Sequence, residues 1–143
     1  TRRMEEVMSD PSLAVQKLIL SKLTAYGPLL ALVPASAILD RNERPETFPC
    51  ILLGEAQTVG DDIDCGPLSD VYSTIHVWTR EEGLRDCKII AGAIRRALWQ
   101  ASSADVDGFD IGDTAFEDAR FLRDPSGEHA HGVVTFKSMV GGD

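Results

Sequence analysis

Val71-Tyr72-Ser73-Thr74-Ile75-His76-Val77-Trp78-Thr79 is the stretch whose reading decides the fold. Almost every residue in it is β-branched or aromatic, and side chains that are stiff at χ1 or broad and flat suit a pleated surface. It is the strongest strand in the sequence. Directly after it, residues 83–101 place Leu84, Cys87, Ala91, Ile94 and Leu98 at alternating steps of three and four. Ile90 and Ala97 widen that stripe while Arg85, Lys88, Arg95 and Arg96 lie off it, the pattern of a helix with one face on a core.

Upstream, Gly60-Asp61-Asp62-Ile63-Asp64-Cys65-Gly66-Pro67 holds three carboxylates between glycines, which predicts a long exposed hairpin loop. Before it, Cys50-Ile51-Leu52-Leu53-Gly54-Glu55-Ala56 is a short apolar run of the kind that fits a strand buried on both faces. Residues 40–47 are charged and read as a loop, and Ala37-Ile38-Leu39 as a brief strand. At the start, Ser9-Asp10-Pro11 offers a cap and then a proline at the first helical position, where its missing N–H costs nothing. Val15, Leu18, Ile19, Leu23 and Tyr26 then recur at helical spacing until Gly27-Pro28 ends the helix.

Downstream of a polar break at 102–108, two extended segments are expected, Thr114 to Arg123 and Gly132 to Val140. Asp124-Pro125-Ser126-Gly127 joins them with the residue preferences of a type I turn. In the last segment Val134, Phe136 and Val140 share one face with Ser138, and Thr135 and Lys137 take the other. The order helix, strands, helix, strands predicts an α+β chain, a mainly antiparallel sheet with two helices packed on one face. Residues 1–8 are expected to be an N-terminal extension and 9–143 a single domain.

A chain of 143 residues can bury a core without disulfides or a structural metal. Its apolar runs fall well short of the ~20 residues that span a bilayer, and residues 1–8 lack the apolar stretch of a secretory leader. Net charge is −9, and the 14 Lys and Arg are scattered, so no basic footprint for a phosphate backbone is expected. Cys50, Cys65 and Cys87 form an odd set with no close pair and read as reduced thiols, two of them packed as small hydrophobes.

Candidate chemistry is sparse. Glu128-His129-Ala130-His131 resembles a fragment of a metal site, since alternate strand residues face the same way, but a third ligand would have to come from elsewhere. His76 lies between Ile75 and Val77, where a hydrogen-bonded, half-buried imidazole is the ordinary reading. Asp61, Asp62 and Asp64 lack the spaced oxygens and terminal Glu of a calcium loop. Phe109, Phe116, Phe121 and Phe136 read as core aromatics, because no basic groove accompanies them. No nucleophile elbow, phosphate-cradling loop, Cys-x-x-Cys or His-Glu-x-x-His is present. Neither an enzymatic site nor a cofactor is expected.

Several blocks, in this order and spacing, resemble the small phage and prophage proteins known as tail completion or tail terminator proteins, similar members of which occur in gene transfer agents. They are Ser9-Asp10-Pro11-Ser12-Leu13-Ala14, Phe48-Pro49-Cys50-Ile51-Leu52-Leu53-Gly54, His76-Val77-Trp78-Thr79-Arg80, Ile94-Arg95-Arg96-Ala97-Leu98, the stretch from Arg120 to Gly127, and His131-Gly132-Val133-Val134. The resemblance covers about residues 9–140, and residues 1–7 extend beyond the family's usual start at Met8.

The resemblance implies a structural virion protein at the head–tail interface, present in the host cytoplasm during assembly. Copies would form a ring, expected to hold six, that caps the tail tube. Its partners would be itself, the tail tube protein and the head–tail connector; DNA would pass through the channel without specific binding. An acidic lumen would not hold phosphates, so Asp61, Asp62 and Asp64 are expected to face it. Closed rings use heterologous contacts, and the hairpin from Arg120 to Val134 is the expected interface, with Arg120, Arg123, Asp124 and His131 in it. The alternatives are a connector or adaptor on the portal, and a small metal-dependent hydrolase using His129, His131 and the acidic loop.

Overall fold

The computed structural model describes residues 9–40, 45–60, 68–99 and 104–142 of the chain. Helix α1, Pro11–Thr24, begins where the sequence places it: the Asp10 carboxylate accepts the Ser12 N–H at 2.9 Å, and proline opens the first turn. The same carboxylate accepts the Thr58 hydroxyl at 2.7 Å, so the cap also ties the helix start to the sheet. Gly27-Pro28 ends α1 as expected, but the pair also opens a one-turn helix α2, Gly27–Leu30, that was not anticipated. Proline blocks continuation of one helix and is preorganised to start the next. A 3-10 turn, Ala35–Ala37, then leads into β1, Ile38–Leu39.

The other strands are β2 (Cys50–Gly60), β3 (Leu68–Arg80), β4 (Ala104–Val106), β5 (Phe109–Arg123) and β6 (His129–Gly141). Between β3 and β4 lies helix α3, Arg85–Ala97, shorter at both ends than the periodic stripe predicts. The sheet order is β1-β2-β3-β6-β5-β4; β1 runs parallel to β2 and every other neighbouring pair is antiparallel. The long final hairpin β5–β6 thus reaches the sheet's centre, with β6 pairing β3 from Leu68↔Gly141 to Arg80↔His129.

Alternation in β3 sorts the two faces. Val71, Ser73, Ile75, Val77 and Thr79 are buried, and β6 sets Ala130, Gly132, Val134, Phe136 and Ser138 beside them. Helices α1 and α3 pack on this face through Val15, Leu18, Ile19, Leu23, Cys87, Ile90 and Ile94. The two-helices-on-one-face expectation therefore describes the main layers, with α2 as an addition. The polar Ser138 is reconciled with its burial by Thr114 across the ladder, the two hydroxyls lying 2.8 Å apart. Gly132 lets α3 approach: a Cβ there would sit 2.9 Å from the Cys87 sulfur and 3.3 Å from the Phe121 ring.

Three readings need correction. The run Cys50–Ala56 belongs to a longer strand that is buried only over Cys50–Leu53, because β1 flanks just Ile51 and Leu52 and leaves the rest of β2 at the sheet edge. The polar break before β5 contains a strand, β4, joined to it by Asp107-Gly108 with φ of 52° and 85°. Both residues are left-handed, as a two-residue type I′ hairpin turn requires. Finally, β5 starts at Phe109 rather than near Thr114.

Candidate functional site

The helices cover one face of the sheet, and the opposite face carries a cluster of polar and aromatic side chains. Tyr72, Thr74, His76 and Trp78 of β3 point there, alongside His131, Thr135, Lys137 and Met139 of β6. His76 Nδ1 and His131 Nε2 are 2.8 Å apart, and His76 Nε2 lies 2.6 Å from the Glu55 carboxylate. His131 stacks on Trp78, ring centroids 3.9 Å apart and planes within 9°. Glu55 reaches His76 because β2 bulges between Leu53 and Ala56. Gly54 in that bulge leaves room for the imidazole, since a Cβ would lie 2.5 Å from the His76 ring.

The electrostatics of this chain are directional. The hydrogen bond from His76 holds the Glu55 carboxyl below its ordinary range, while burial, reinforced by the neighbouring His76, holds the His131 imidazole below 6.5. A carboxylate–imidazole–imidazole chain can fix ring tautomers and share a proton. Catalysis would need an activated nucleophile or a metal at its end, and His131 instead ends against the Trp78 ring. Among the described residues no three His, Cys, Asp or Glu side chains are grouped so as to hold a metal ion.

His129 and His131 are on the same side of β6 but serve separate clusters. His129 stacks on Phe48 at 4.4 Å, with the Arg80 guanidinium 5.3 Å from the centre of the Phe48 ring. His76 is the satisfied, half-buried imidazole that its sequence context predicts. Cys50 and Cys87 are buried free thiols, pushed up to about 11 and about 12 chiefly by burial.

The four expected interface residues do not form one patch. Arg120 and His131 are near neighbours on the open face, in register with Val133 and Leu122 respectively. Arg123 is exposed at the hairpin's end. Asp124 is taken up by the turn: its carboxylate accepts the Ser126 hydroxyl at 2.6 Å, and its backbone carbonyl accepts the Gly127 N–H at 2.8 Å. Asp61, Asp62 and Asp64 lie outside the described residues.

Two features escaped the sequence reading. A cleft of about 470 Å³ opens at the end of the sheet between Leu32 of the α2 region, Phe48-Pro49, the end of β3 and the first turns of α3. Trp99, just beyond α3, is 64% exposed beside a groove bordered by Arg95 and Asp113. The only sequence signal for the second was a tryptophan off the apolar stripe of α3.

The family model described as tail completion protein gp17 matches residues 17–141. A chain in a solved structure of the virion of a native gene transfer agent particle superposes with a TM-score of 0.76 at 24% identity, covering 90% of this chain and 96% of that one. The bacteriophage SPP1 gp17 protein superposes with a TM-score of 0.61 at 16% identity, covering 95% of each chain. At these identities the likeness is one of fold. No curated protein sequence matches significantly.

Proposed function

The chain belongs to the tail completion protein gp17 family, a family of structural phage proteins and not of enzymes, and from that premise we propose that its copies cap the tail tube as a ring of six and join the tail to the filled head. The observation that carries this reading is the family match over nearly the whole chain, on a fold shared with a chain of a gene transfer agent virion. The partners in this reading are further copies of the chain, the tail tube protein and the head–tail connector, with DNA passing through unbound. The chain acts in the particle and reaches it from the host cytoplasm.

The sheet supports self-assembly. Among the described residues β2 has no strand partner on its outer side beyond Leu52, and β4 covers β5 only over Phe109–Ile111, which leaves strand edges at both ends of the sheet. Such edges are natural material for contacts between copies. Arg120 and Arg123 of β5, with His131 on the neighbouring β6, are the side chains we assign to the subunit contact, and Asp124 acts by holding the hairpin turn. The acidic residues Asp61, Asp62 and Asp64 are assigned to the lumen, where they would repel phosphates.

The test is mass and position together: light scattering on the purified protein, and cryo-EM of intact particles. A ring at the top of the tail tube is the expected result. A ring located on the portal would replace this reading with the connector role, and a monomer absent from particles would overturn it.

A further inference from the structure

An open, largely apolar cleft lies at the start of α3, and an exposed tryptophan stands just beyond its end. Leu32 and Ile89, 40% and 41% exposed, line the cleft with Phe48 and Pro49, leaving apolar surface open to water. At its rim stand Arg80, Arg85 and Asp86, and the Asp86 carboxylate is already met by Arg85 at 3.1 Å. Among the residues that line the cleft, two arginines thus stand against one carboxylate, in a chain of net charge −9.

The backbone at Trp99 continues the helix end, its N–H donating to the Arg96 carbonyl at 3.2 Å and the preceding Leu98 N–H to Ile94 at 3.1 Å. The groove beside Trp99 is lined by Arg95 and Asp113, and the neighbouring stretch from 104 to 119 carries six carboxylates and no Lys or Arg, Asp107 among them being paired with Lys17. Ten residues of helix rise separate Ile89 from Trp99, about 15 Å, so the indole cannot fill its own chain's cleft.

We infer that Trp99 of one copy seats in the Leu32–Phe48–Ile89 cleft of the next copy, with the acidic strand β5 of the first facing Arg80 and Arg85 of the second. A projecting tryptophan entering an apolar pocket elsewhere on an identical chain makes a heterologous contact, which repeats around a ring. Tryptophan in a desolvated pocket with a charged rim is also where interface energy concentrates. This contact rests on the ring reading above and names the surfaces that close the ring.

The test is a cross-link in assembled tails. Ile89→Cys and Trp99→Cys are combined in a Cys65→Ser background, the buried Cys50 and Cys87 being left as they are. A bismaleimide with a span well under the ~15 Å intrachain separation is then added. A ladder of cross-linked multimers, absent from either single-cysteine chain, is expected. Separately, Trp99→Ala and Ile89→Glu should each raise the concentration needed for assembly at least tenfold, while their mixture should give heterodimers that stop there, each pair having one intact half-contact. A ring without a ladder, formed equally well by both variants, would overturn the contact and leave the ring reading standing. A single copy per tail would overturn both.

Discussion

His76 and His131 share one hydrogen bond across the β3–β6 ladder, Nδ1 to Nε2 at 2.8 Å. One of those nitrogens donates and the other accepts, so the pair accommodates no positive charge or one, but not two. Glu55 lies against the far nitrogen of His76 and supplies a counter-charge at that end of the pair. At the other end burial, reinforced by the neighbouring His76, makes His131, stacked on Trp78, resist protonation.

That asymmetry predicts a pH dependence of stability. The folded state lowers the His131 pKa below 6.5, chiefly by burial, so the unfolded chain takes up this proton first. Stability contributed here is complete above about pH 6.5, falls as pH drops through that value, and levels off below the folded pKa. Urea midpoints measured from pH 8 to pH 5 should decline in this window, and His131→Phe, which keeps the stack on Trp78, should flatten the decline. An unchanged slope in the variant would assign the dependence to other groups.

Gly132 sets the distance between α3 and the sheet. A Cβ there would meet the Cys87 sulfur at 2.9 Å, and both residues are buried. Gly132→Ala should therefore cost about 1–3 kcal/mol by overpacking. In a Cys87→Ala background the same change should cost less, and a double-mutant cycle by denaturant unfolding reads the coupling directly.

Thr114 and Ser138 bury two hydroxyls against each other. Ser138→Ala alone strands the threonine hydroxyl and should destabilise by about 1–3 kcal/mol. Thr114→Val with Ser138→Ala removes both partners at similar shape and should recover most of that loss. A double-variant cost equal to the sum of the two single costs would mean that the pair is not coupled.

The legible parts of this fold were those whose signal is local. Val71 to Thr79, the α3 stripe and the Asp10-Pro11 helix start are each written in consecutive residues, and all appear as read. Asp107-Gly108 was equally local, yet the carboxylates around it disguised a strand pair as a polar break. The second half of β2 is polar because it lies at an edge, so composition hid it. The Glu55–His76–His131 chain depends on register between residues 55 positions apart, on a bulge and on the fit at Gly54. None of these leaves a trace in sequence spacing. The same holds for the cleft, whose walls come from α2, β3, α3 and the residues before β2.

Glu81 carries the last prediction, since α3 begins at Arg85 without a capping side chain at Leu84. The Glu81 carboxylate stands in, accepting the backbone N–H groups of Asp86 at 3.0 Å and Cys87 at 2.9 Å together with the Thr79 hydroxyl. Burial works to raise its pKa, but these hydrogen bonds outweigh it and the carboxyl ends below its ordinary range. Its contribution is therefore complete above the ordinary glutamate range and is lost as pH falls through the lowered value. Glu81→Gln keeps one acceptor and should cost less than Glu81→Ala, for which the loss of a helix cap is about 1 kcal/mol. Since α3 carries Ile89 toward the cleft and positions Trp99, either change should also weaken ring assembly. Loss of assembly in Glu81→Ala without loss of thermal stability would instead place Glu81 itself in the contact between copies.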